Sequence, residues 1–190
     1  MKNMTYAKKI MTTVLVVFLT LSLYAQEEKK EATALKTKMD VFISETGVIR
    51  KFVDINLSGL KGSYADAAKT RIRKVSSMTD AMYFYQIEKR GQYNSSIASI
   101  EYMDLLEIIK ALATLSSEVE KDIASNPDYL ENKFVTVDEF QVGYFVSKSK
   151  ATWFIKLEQY GSDNTLFVPG IEVLQAAFFE AKSKIEALKM

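Results

Sequence analysis

The sequence predicts an α+β fold: an antiparallel β-sheet of about seven or eight strands with helices packed on one face, built from two pseudo-repeats of β-meander plus helix. Three observations predict it. Stretches such as "DAMYFYQIEKR" (80–90) and "KATWFIKLEQY" (150–160) alternate with the period of two expected of half-buried strands. Leu105, Ile108, Ile109, Leu112, Leu115, Val119 and Ile123 follow the three-and-four spacing of an amphipathic helix, as do Ile171, Leu174, Ala177, Phe178, Ala181, Ile185 and Leu188. These strand and helix patterns recur in the same order with an offset of about 70 residues, too long a period for a solenoid.

The first element in the chain is a targeting signal. Lys2, Lys8 and Lys9 make a basic start, followed by an apolar stretch and then Ala25, Gln26 and a charged run. The apolar stretch, residues 10–23, is about 14 residues long, short of the roughly 20 that a spanning helix needs. Basic start, short apolar middle and small terminal residue are the layout of a secretory signal peptide. The expected organisation is a signal peptide at 1–25 and a single α+β domain at 26–190, with half-repeats at about 48–125 and 133–190. The expected location is periplasmic or secreted. With no cysteine after the apolar stretch to carry a lipid, no stable membrane anchor is expected once the signal is removed.

Leu35, Met39, Phe42 and Ile43 suit one helical face, with Gly47 just past its end, whereas Met39, Val41 and Ile43 alone suit a strand. From residue 48 the period turns to two. Strands are predicted at 48–57, 68–77, 80–90 and 93–102, then the helix from 105 that Asn126–Pro127 stops. The second half repeats this order: strand material at 133–149, as two short strands or one with a bend near Asp138, strands at 150–160 and 165–169, then a helix from 171. At an offset of 70, Ser77, Ala81, Phe84, Glu88, Gly91 and Asn94 meet Ser147, Ala151, Phe154, Glu158, Gly161 and Asn164. "KFV" at 51–53 also recurs at 133–135, with a larger offset.

Composition narrows the chemistry. There is no histidine and no cysteine, which removes Ser-His-Asp and Cys-His catalysis and the usual zinc sites. Removing 1–25 would leave 165 of the 190 residues, with 22 of the 25 basic groups and all 24 acidic ones. That balance offers no basic face for nucleic acid. The matches to S-x-x-K at "SGLK" (58–61) and "SKSK" (147–150) fall in predicted turns, whereas the motif needs its Ser at a helix start. Glu88 and Glu158 form a matched pair that could divide acid and base roles, or simply keep two strand ends solvated. Asp138–Glu139 and Asp163–Asn164 lack the spacing of a calcium loop. With no Gly-rich phosphate loop either, no cofactor and no metal are expected.

Strand alternation assigns Ala81, Tyr83, Tyr85 and Ile87, and likewise Ala151, Trp153, Ile155 and Leu157, to the helix-facing core. Phe84 and Phe154 point the other way, and in-register partner strands would place Val75 and Phe145 beside them. These four are the candidate ligand- or partner-binding residues, the alternative being a minor second core under a loop or helix, or partial cover by the leader.

"ASIEYMDLLEIIKAL" (98–112), "VSKSKATWFIKLEQYGSDNTLF" (146–167) and the closing helix resemble a pattern of small exported bacterial proteins of unknown function. The resemblance spans most of the chain after the signal and implies export, but no activity or site. In layout alone the duplicated sheet-and-helix unit is similar to β-lactamase inhibitor protein, with no binding residues to carry over. Taken together, the sequence favours an exported non-catalytic module that binds a protein or a carbohydrate. A small apolar-ligand carrier and a carboxylate-based hydrolase remain as second and third readings.

Overall fold

Period-two segments close into hairpins wherever a turn lets them, and here they form two separate antiparallel meanders. The computed structural model describes residues 37–63, 66–91, 94–158 and 163–190; the expected signal peptide lies outside them. Residues Thr37–Met190 form one compact unit. The first sheet contains β1 (Lys51–Asn56), β2 (Leu60–Lys61), β3 (Ala67–Ser76), β4 (Ala81–Arg90) and β5 (Ser95–Glu101), in the order β1-β3-β4-β5 with β2 also on β3. The second contains β6 (Leu130–Val135), β7 (Gln141–Ser147), β8 (Lys150–Lys156) and β9 (Thr165–Val168), in sequence order. The fold is therefore α+β as expected, with the nine strands of the described residues divided between two sheets.

The edge of β5 is capped by a side chain from the second half of the chain. There the Ile97 N–H donates to Glu158 Oε1 at 2.9 Å, so a carboxylate meets a backbone group that would otherwise seek a strand. At β9 the Ser63 N–H likewise donates to the Phe167 carbonyl at 2.7 Å.

Helix α2 (Tyr102–Ala124) and helix α3 (Ile171–Lys189) bury their apolar stripes against the inner faces of both sheets and against each other. Tyr85, Phe140, Tyr144, Trp153 and Phe178 belong to one core shared by the two halves. Tyr85 and Phe178 meet edge-on at 5.4 Å, and Tyr144 tilts against Trp153 at 4.7 Å. Neither half could cover its own sheet, so the two fold together.

The repeat-like layout reaches into the register. Val75 opposes Met82 in the first hairpin and Phe145 opposes Thr152 in the second, which is the pairing an offset of 70 requires. It then stops. Tyr85 opposes Ile100, whereas Ile155 opposes Leu166. The "KFV" match is not structural either: Phe52 lies beside Val75 on the outer face, while Phe134 pairs with Val142 towards the core.

A third helix, α1 (Lys38–Ile43), lies on the outer face of the first sheet, a position not anticipated by helices on one face. Thr37 and Asp40 form a reciprocal capping box at its start. Gln86 on that face reaches Met39 Sδ at 3.6 Å. The Lys38 N–H donates to the Asp138 carboxylate at 3.0 Å, and the Lys38 ammonium pairs with Asp104 at the start of α2. Burial pushes the Asp138 carboxyl above its ordinary range, outweighing the donated N–H. Burial opposes the Lys38 charge, but Asp104 holds its pKa above the usual value.

The remainder of this face is an ionic ladder. Arg73 grips Asp54 with two hydrogen bonds, 2.7 and 2.6 Å, and Arg71 pairs with Glu88 at 2.7 Å. The bond from Arg73 holds the Asp54 carboxyl below its ordinary range, and the bond from Arg71 does the same for Glu88. Because the folded pKa values are lowered, this stability is present above the unfolded carboxylate range and lost as pH falls towards the folded values. The Asp54→Asn, Glu88→Gln double variant is expected to be less stable at neutral pH. It should also lose stability less steeply than the parent between about pH 5 and 3, read as urea midpoints at stepped pH.

Candidate functional site

The four residues expected on an open aromatic face divide between the two sheets. Val75 and Phe84 share the outer face of the first sheet, but both are 0 % exposed and lie apart from the main core. They form no surface patch. Helix α1 lies on this face, where Gln86 reaches Met39.

Phe145 and Phe154 lie on the outer face of the second sheet, and this face is open. Phe154 is 7 % exposed, yet the rings around it are not buried: Phe167 on β9 is 39 % exposed and Tyr129, just before β6, is 61 %. Phe154 and Phe167 are directly opposed across β8 and β9. Phe145 joins the group, its ring centre 6.5 Å from Phe154, 6.3 Å from Phe167 and 6.0 Å from Tyr129. The result is a diagonal of four rings from one edge of the sheet to the other. Tyr129 and Phe167 are the members that sequence reasoning missed. The signal for Phe167 was available, since alternation in "TLFVP" sets it opposite Leu166 and Val168, which are buried in the core.

A glycine sits in the floor of this cluster. Gly143 lies between Lys133 on β6 and Phe154 on β8. A Cβ there would strike the Asn132 carbonyl and come within 2.7 Å of Lys133 Cα. The missing side chain lets β6 approach β7 closely and leaves a dent beside Phe154.

Charges frame the rings. Tyr129 donates its hydroxyl to Glu131 Oε2 at 3.1 Å, and Lys133 pairs with Glu131 at 2.9 Å. The bond from Lys133 holds the Glu131 carboxyl below its ordinary range.

The ring planes bear on what such a face can hold. Tyr129 and Phe145 stack at 24°, but Phe145 and Phe167 meet at 82°. A flat sugar surface calls for coplanar rings. These rings instead pack edge and face on one another, as in a small apolar knob-and-pocket surface.

The other candidate chemistry is spoken for. Glu88 is tied to Arg71, and Glu158 accepts the Ile97 N–H. Asp138 holds the start of α1. Ser58 donates its N–H and hydroxyl to Glu180, and Ser147 ends β7 in the tight turn to β8, so neither S-x-x-K serine opens a helix. A polar cluster at the end of α2 joins Asp122 to the Tyr144 hydroxyl at 2.6 Å and Glu118 to Asn132 at 2.7 Å. Burial, then the bond to Asp122, pushes the Tyr144 hydroxyl up to about 12. No group of three or more acidic, His or Cys side chains able to hold a metal occurs among the described residues.

Nor do relatives supply a function: no protein family model matches this chain, and neither the curated proteins nor the solved structures contain a match.

Proposed function

We propose that this chain is an exported, non-catalytic binding module whose partner is a protein, taken on the outer face of the second sheet. The observation that carries this reading is the four-ring cluster of Tyr129, Phe145, Phe154 and Phe167. Two of its rings are substantially exposed, although large apolar side chains on a folded surface favour burial. Aromatic groups beside a charged rim are the composition of binding hot spots. The mutual tilt of the rings favours an aliphatic or aromatic side chain as the anchor over a sugar ring. Export rests on the layout of residues 1–25.

The experiment is selection of displayed random peptides on the immobilised full chain, followed by affinity measurement of the enriched peptides on variants. Enriched peptides are expected to carry an aromatic or aliphatic anchor. They should bind Phe167→Ser and Tyr129→Ser at least about tenfold more weakly, the effect of losing a hot-spot residue. Phe167 lies on β9, at the far edge from β6, so it reports on the face alone. Peptides that bind both variants as well as the parent would overturn the reading. So would an absence of enrichment, or Phe167-dependent retention on insoluble polysaccharide.

A further inference from the structure

We infer that two copies of this chain pair edge to edge through β6, antiparallel, about a two-fold axis at Asn132. Among the described residues, the β5 and β9 edges each meet a capping group from elsewhere in the chain, Glu158 and Ser63. β6 is paired to β7 on one side and has no such cap on the other. An uncovered edge is a template for another strand.

The sequence of β6 says which strand fits. A two-fold axis perpendicular to the sheet keeps each face on its own side, so opposed residues must share a face. With the axis at Asn132, Glu131 opposes the partner's Lys133 and Lys133 opposes the partner's Glu131. Further out on the same face, Tyr129 opposes the partner's Val135; these two are 61 % and 42 % exposed in the single chain. On the inner face Leu130 opposes the partner's Phe134. Every charged pair is complementary and every apolar pair is apolar on both sides. An axis one residue along, at Lys133, sets Lys133 against itself; one residue back sets Glu131 against itself. The edge strand β1 has no comparable register: an axis at Val53 sets Phe52 against Asp54, and one at Asp54 sets that carboxylate against itself.

The inner side has room for the added strand. A groove of about 480 Å³ runs between α2 and β6, lined by Ala111, Leu115 and Phe134 among others. The partner's Leu130 and Phe134 would enter it. Glu107, Lys110, Glu118 and Lys133 also line this groove, two charges of each sign. The pairing would make one continuous eight-stranded sheet from two copies of the second meander. It does not depend on the aromatic face having a protein partner.

Sedimentation velocity on the full chain, from about 1 to 100 μM, tests this. The parent is expected to sediment as a dimer in the upper part of that range. Lys133→Glu should weaken association at least tenfold, because Glu131 then faces a like charge across the axis. The double variant Glu131→Lys, Lys133→Glu restores complementarity and should restore the dimer, with a melt of each variant verifying that it is folded. Because the chain has no cysteine, Asn132→Cys should also cross-link to itself on mild oxidation, and Glu131→Cys should not. A parent that is monomeric throughout, a Lys133→Glu variant that still dimerises like the parent, or cross-linking no faster at 132 than at 131 would each overturn the pairing.

Discussion

Replacing Phe84 by Ser is expected to cost about 3–5 kcal/mol, the loss typical of emptying a buried phenylalanine site. For a domain of this size that is a fall in melting temperature of about 6–20 °C. Phe84 is fully buried, Val75 on the same face is too, and serine would leave the volume of the ring unfilled. The comparison is Phe167→Ser, on the equivalent face of the second sheet, which should stay within about 1 kcal/mol of the parent because that ring is already partly in water. Calorimetry on the two variants reads the difference directly. Equal and small effects would mean that the face beneath α1 is open in solution.

Gly143→Ala is the other large effect. The added methyl meets backbone on two sides, the Asn132 carbonyl and Lys133 Cα, and neither is the end of a flexible side chain. The strands must move apart, at a cost of about 3 kcal/mol by analogy with overpacked cores. The damage should be local to the β6–β7 ladder. Urea melts should give the loss in stability, and hydrogen exchange should accelerate most at β6 amides. A variant as stable as the parent would show that β6 can shift without strain.

Much of this architecture was legible in the sequence because strands report their faces through parity. Tyr83, Tyr85 and Ile87, and Trp153, Ile155 and Leu157, lie in the main core as alternation requires, whereas Ala81, assigned to the same face, is exposed at the start of its strand. The two long helices were legible from the same kind of periodicity. What alternation cannot report is what lies over a face. Phe84 and Phe154 occupy matching positions in the two hairpins, yet Phe84 is fully buried and Phe154 belongs to a cluster with exposed rings. Helix α1 lies on the face of Phe84, more than 40 residues upstream of it, a separation that no local pattern spans.

The division into two sheets was hidden for a similar reason. Glu158, which caps the edge of β5 across 61 residues, resembles an ordinary solvated carboxylate in the sequence. Tyr129 was missed because it stands between Pro127 and the first residue of β6, where it belongs to no alternating run. The "KFV" match misled in the opposite sense. Three identical letters fell on strands whose registers put their phenylalanines on opposite faces.

The tether of α1 has a consequence for the order in which the chain can complete itself. The Lys38 N–H is held by Asp138, 100 residues later, and Lys38 itself by Asp104, 66 residues later. Chains are made from the N-terminus, so α1 exists long before either anchor does. The first meander can zip through its own hairpins while α1 still lacks both anchors. The second anchor arrives only with the turn between β6 and β7, so the first helix of the described residues is among the last elements to be secured.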